Sequence, residues 1–136
     1  RANYSQTAGV ATHIQDAYAT ALNDREHREK WFDLLKNTLQ ERRDTLYSEL
    51  IKISPGLIKP QGAFYYFLDM KEIIYDQTAD SDKYLLDLFL DNNVAIVPGA
   101  SFGKEGFMRI SFSGTSNEET KEGARRIVRT IKEKSK

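Results

Sequence analysis

A two-layer α+β domain, with a mainly antiparallel sheet covered by helices and one long helix in front of it, is the fold class this sequence predicts. Three observations carry that expectation. Apolar residues recur at helical spacing through the N-terminal part of the chain and again at its end. Between them, short runs rich in aromatic and β-branched residues are punctuated by Pro-Gly breaks, as strands are. The strand candidates are joined by short loops or single helices, an order that gathers the helices over one side of a sheet.

Taken in order, "SQTAGVATHIQDAYATALND" places Val10, Ile14, Ala17 and Ala21 on one stripe, with Gly9 near the helix start. Asn23, three residues before Glu26, has the spacing of a capping box for a second helix. Trp31, Leu35, Leu39, Leu46, Leu50 and Ile53 form its stripe, and Pro55-Gly56 ends it. A helix from about Arg25 to Ile53 would be roughly 43 Å long, which suits a strut between two bodies. "LIKPQGAFYYFLDM" follows as a short extended piece, a break and a strand from Ala63 to Asp69, whose aromatics on both sides predict that both faces are covered. In "SDKYLLDLFLDNN", Tyr84, Leu85, Leu88 and Phe89 share one side of a helix that Asn92 or Asn93 can terminate. "VAIVPG" reads as a strand stopped by Pro98-Gly99, the loop "GASFGKEG" leads into the strand "FMRISF", and Ser116 with Glu119 caps a last helix. That helix buries Ala124, Ile127, Val128 and Ile131. There is no internal repeat and no low-complexity segment.

The totals bound the function. The chain has 136 residues, 40% of them hydrophobic, enough for one domain with its own core. Twenty Lys+Arg balance twenty Asp+Glu, so the one-signed field of a nucleic-acid binder is missing. Without cysteine there is no thiol nucleophile and no disulfide framework, which is compatible with the cytoplasm. No apolar run approaches the roughly 20 residues that cross a bilayer, and the expectation is a soluble, non-secreted protein with no nucleic-acid or membrane partner.

Arg109 is the residue that asks for an explanation. In a strand, Phe107, Arg109, Ser111 and Ser113 share one face, while Met108, Ile110 and Phe112 share the face that reads as core. Two readings stand: a solvent-exposed arginine, or an anion site in which a planar fork of donors grips a carboxylate as lysine cannot. The preceding loop does not make a phosphate-binding loop, because three residues rather than four separate Gly99 from Gly103 and Glu105 follows Lys104. His13 and His27 lack the companions of a metal site. The "FYYF" run reads as a covered strand, and "ERRD" as a solvated helix face with local ion pairs. The residues alone name no reaction.

Together, "PQGAFYYFLD", "VAIVPGASFG" and "GFMRISFSGTSNEETKEGARRI" resemble the C-terminal part of class I/II pyridoxal-phosphate-dependent aminotransferases, the aspartate-aminotransferase-like family. "SQTAGVATHIQDAYATAL" and "ERRDTLYSEL" are also similar to theirs, so the resemblance spans nearly the whole chain. It implies an enzyme that moves an amino group from an amino acid to a 2-oxo acid, using pyridoxal 5'-phosphate. It implies that Arg109 binds the substrate's α-carboxylate, holding the Cα–H bond perpendicular to the cofactor ring. It also implies a homodimer in which residues 1–22 close the large cofactor-binding domain and 23–136 form the small domain. The family's cofactor lysine lies upstream in the large domain, and no segment here resembles its S-x-S-K motif. With Arg1 in place of an initiator Met, the chain is expected to be a portion that does not transaminate alone and contributes no catalytic residue of its own. Two alternatives remain at this point: the small domain of a related C–S lyase, and a stand-alone small-molecule-binding α+β module.

Overall fold

The computed structural model describes residues 9–71, 73 and 81–134; the first eight residues of the predicted 1–22 segment lie outside that range. Among the described residues, the elements are α1 (Thr12–Asn23), α2 (Arg25–Leu50), β1 (Tyr65–Asp69), α3 (Ser81–Asp91), β2 (Val97–Pro98), a single 3₁₀ turn (Gly99–Phe102), β3 (Phe107–Ser111) and α4 (Asn117–Lys134). The sheet order is β1-β3-β2, antiparallel throughout. This is the α+β domain that the alternation of patterns predicts. The chain divides into two units, Arg1–Thr38 and Leu39–Lys136, and the division falls inside α2.

In the second unit, one sheet face meets helices. Tyr66 and Leu68 from β1 and Met108 and Ile110 from β3 join Leu46 and Leu50 of α2, Leu85 and Phe89 of α3, and Ala124, Ile127 and Ile131 of α4 in one buried cluster. Strand alternation sends these side chains to the same side, and burying them supplies the main stabilisation. Tyr66 is the largest fully buried side chain; its hydroxyl donates to the Arg43 carbonyl oxygen at 3.0 Å, which satisfies its one polar atom. Its ring packs against Phe112 at 5.9 Å between centroids.

The first unit has a different character. No residue of α1 is buried, and Val10, Ile14, Tyr18, Leu22, Trp31, Phe32, Leu34 and Leu35 are all exposed. The stripe predicted along α2 therefore splits: Leu46 and Leu50 belong to the core, Leu39 packs against it, and Trp31 at 58% exposure does not. α2 has 26 residues, ending at Leu50 rather than Ile53, roughly 39 Å at the standard rise.

Three expectations need correction. The strand predicted from Ala63 begins only at Tyr65, because Ala63 takes φ 61°, a left-handed conformation that breaks the extension. The strand predicted over "VAIVPG" pairs only at Val97 and Pro98; Val94 and Ile96 are buried by packing without entering the ladder. Nor are both faces of β1 covered: Phe67, on the face opposite Tyr66 and Leu68, is exposed at 36%. Among the described residues, no helix is long and apolar enough to cross a membrane.

Candidate functional site

The uncovered face of the sheet carries the site. Pairing places Arg109 of β3 between Phe67 of β1 and Val97 of β2, and Tyr65 opposite Ser111, so Arg109 occupies the central strand. The same two-residue period that buries Met108 and Ile110 turns Phe107 and Arg109 to this side. Sequence periodicity makes this the more polar face; in three dimensions it is largely aromatic. Phe67 stacks on Phe107 at 5.0 Å, and Phe102 meets the edge of Phe67 at 6.1 Å.

Arg109 is held by rings rather than by an acid. Its guanidinium carbon lies 4.6 Å from the Phe102 ring centroid and 5.5 Å from that of Tyr65, cation–π geometry in both cases. Among the described residues no carboxylate pairs with it, and its Nε is buried without a hydrogen-bond partner. A buried guanidinium nitrogen without an acceptor keeps its desolvation cost. Of the two sequence readings, a plain surface arginine does not describe this side chain: the residue is half-buried and flanked by two rings. Phe102 and Tyr65 are the members that sequence reasoning missed. Their signal was Phe102 in the glycine-rich loop, a ring that no helical or strand stripe accounts for.

The loop's glycines have separate reasons. A Cβ at Gly99 would collide with the Lys104 carbonyl oxygen and the Phe107 side chain. Gly106 has φ 77°, and a side chain there would meet the Lys71 stem. Within the loop, Gly103 N–H donates to the Ala100 carbonyl at 3.0 Å and Lys104 N–H to that of Gly99 at 3.0 Å.

The "ERRD" segment does more than solvate a helix. Arg42 donates through Nη1 to the Ser113 carbonyl at 2.9 Å, and Arg43 through Nη1 to that of Pro60 at 3.3 Å. These two bonds tie α2 to the chain just after β3 and just before β1. The local ion pair that sequence predicts is also present, Arg43 Nε to Asp44 at 2.8 Å; hydrogen bonding to Arg43 lowers the Asp44 pKa, helped by Lys59. His27 pairs with Asp24 at 2.8 Å, and among the described residues no group of three His, Cys, Asp or Glu could hold a metal.

The described site brings together one guanidinium and several rings. Comparison with known proteins gives the site its context. The sequence pattern of the family described as Aminotransferase class I and II matches residues 2–127. The "Probable aspartate/prephenate aminotransferase" of Aquifex aeolicus (strain VF5) is 36% identical over 134 residues, 96% of this chain and 33% of that protein. The aspartate aminotransferase of Pyrococcus abyssi (strain GE5 / Orsay) is 34% identical over 133 residues, again 96% of this chain but 32% of its own length. Among solved structures, aspartate aminotransferase from Thermus thermophilus with maleate superposes with a TM-score of 0.80 at 28% identity, covering 93% of this chain and 32% of that one. The chain thus spans about a third of the length of the relatives it matches. On the family match over almost all its residues, and on relatives that share both sequence and fold, the chain belongs to the class I and II aminotransferases.

Proposed function

We propose that this chain is the C-terminal part, mainly the small domain, of a pyridoxal-phosphate-dependent aminotransferase, and that Arg109 binds the α-carboxylate of its amino-acid and 2-oxo-acid substrates. The unpartnered Nε of Arg109, flanked by Phe102 and Tyr65 on an uncovered sheet face, is the observation that carries the proposal. A guanidinium fork accepts a carboxylate through two parallel N–H···O bonds, which fixes rotation as well as position. The rings keep water from the cation's faces, which strengthens a pair with an anion. Pyridoxal 5'-phosphate, when bound, supplies the electron sink for the substrate's Cα–H bond. The role of this chain is to orient that bond, and no catalytic residue is assigned within it.

The family supplies the rest of the reading. Residues 1–22 belong to the end of the large domain and 23–136 to the small domain, in a cytoplasmic homodimer. The exposed stripe of Val10, Ile14, Tyr18 and Leu22 on and beside α1 supports a larger body there. The maleate named with the Thermus thermophilus relative is a dicarboxylate, which supports acidic substrates in this branch.

The test is made in the full-length protein. Arg109→Lys and Arg109→Ala are expected to lower kcat/KM for amino-acid substrates by about a hundredfold or more, while the absorption of bound cofactor persists. Unchanged kinetics would remove Arg109 from the site. Detecting a 2-oxo acid together with a new amino acid supports transfer; released ammonia or thiol instead identifies an eliminating enzyme.

A further inference from the structure

We infer that Asp82 is a positioning residue for this carboxylate site: it ties together both ends of the loop that carries Phe102 and so fixes that ring over Arg109. The inference rests on the reading of Arg109 as the carboxylate-binding residue. Asp82 stands in the first turn of α3, outside the loop. One carboxylate oxygen accepts the Ala100 N–H at 2.7 Å and the other accepts the Gly106 N–H at 2.6 Å. These are short, charge-assisted bonds, and together they join the two ends of the segment between β2 and β3. Backbone bonds close the loop from Gly99 to Lys104, Phe107 N–H reaches the Lys104 carbonyl at 3.3 Å, and the Gly106 carbonyl accepts Met70 N–H at 2.9 Å; the side chain that joins Ala100 to Gly106 is that of Asp82. α3 is a firm base for such a clamp, since Leu85 and Phe89 are buried in the core at 3% and 0% exposure.

Phe102 needs a clamp of this kind. Its ring is 48% exposed, so burial does not fix it, yet it is the nearer of the two rings on the Arg109 guanidinium. With no acid paired to it among the described residues, Arg109 depends on those rings for its orientation. A carboxylate on α3 therefore reaches the substrate arginine through two backbone amides and one phenyl ring. Asp82→Asn removes one link, because the amide NH₂ turns a donor toward a backbone N–H. Displacing a substrate-orienting ring by a fraction of an ångström is enough to move substrate affinity.

The experiment uses the full-length holoenzyme and measures KM, kcat and inhibition by maleate for Asp82→Asn, Phe102→Leu, their combination and Arg109→Lys. The expected result is a roughly tenfold rise in KM and a matching loss of maleate affinity in Asp82→Asn, larger than any fall in kcat. Phe102→Leu is expected to do the same, and the double variant to be no worse than the more affected single one, because both act through one ring. Asp82→Glu keeps the charge and shifts both oxygens by a methylene; it should move KM the same way, and it replaces Asp82→Asn if that variant gives no soluble holoenzyme. Unchanged KM and maleate affinity, a fall in kcat alone, or losses that multiply in the double variant would overturn the inference, provided Arg109→Lys weakens both ligands. If Arg109→Lys itself has no effect, the carboxylate reading is what fails.

Discussion

At Thr130 the core holds a polar atom that nothing satisfies: the residue is 1% exposed and its Oγ1 has no hydrogen-bond partner. A buried hydroxyl without a partner keeps its desolvation cost, and valine has nearly the same shape without it. Thr130→Val is predicted to stabilise the fold by about 1 kcal/mol in a urea titration, with an unchanged denaturant slope. Tyr66 is the opposite case, a buried hydroxyl with an acceptor. Burial is the main reason its phenol pKa lies well above the ordinary value, with Asp44 adding to it and Arg43 opposing. Since the folded protein holds this proton more tightly than the unfolded chain, the stability it contributes is full below about pH 10 and falls as pH rises beyond it. Tyr66→Phe should cost about 1 kcal/mol at neutral pH through the lost bond to Arg43 and flatten the alkaline decline. An equally steep decline in that variant would show that another group causes it. Arg109 shows how far single residues were legible. Its type and alternation left two readings open, a solvent-exposed arginine and an anion site, while the rings that flank it are a fact of three-dimensional pairing.

The helices were legible where a local rule decides them. Ser116 and Glu119 form the predicted capping box: Glu119 N–H donates to Ser116 Oγ at 3.2 Å, and Ser116 N–H donates to Glu119 Oε2 at 2.7 Å. The bond from the Ser116 backbone is the main cause that holds the Glu119 pKa below the usual carboxylate value. Asn93 ends α3 in a left-handed conformation at φ 56°, one of the two asparagines predicted for that role. At the start of α2 the rule chose the wrong residue. Asp24, not Asn23, is the cap, accepting the His27 N–H at 3.2 Å while its other oxygen meets the His27 ring. A histidine in the place of the usual Glu hid it. Asn23 is instead the last residue of α1. The strands were less legible because their ends depend on partners: β2 stops where Pro98 has no N–H to give, and β1 starts where Ala63 leaves the extended region. "ERRD" was legible in part for a similar reason: its local Arg43–Asp44 pair is present, but the carbonyls of Pro60 and Ser113 reach Arg43 and Arg42 only once the chain is folded.

For the whole molecule, periodicity finds an apolar stripe but not what the stripe faces. The stripes of α1 and of α2 are written in the same residue alphabet, yet every residue of the buried cluster lies between Leu46 and Ile131. Val10, Ile14, Tyr18, Leu22, Trp31 and Leu35 have a helical apolar pattern and stay exposed. The unit Leu39–Lys136 therefore contains the entire core, together with Arg109, Tyr65, Phe102 and Asp82. Produced alone, it is predicted to unfold in one cooperative transition, followed by near-ultraviolet circular dichroism, which reports the packing of Tyr66 against Phe112. The same signal should appear in the 136-residue chain, whose single tryptophan, Trp31, should fluoresce as a solvent-exposed indole before and after melting. A gradual, non-cooperative melt of Leu39–Lys136 would mean that the N-terminal helical segment is needed to complete the core, and the division inside α2 would not be a folding boundary.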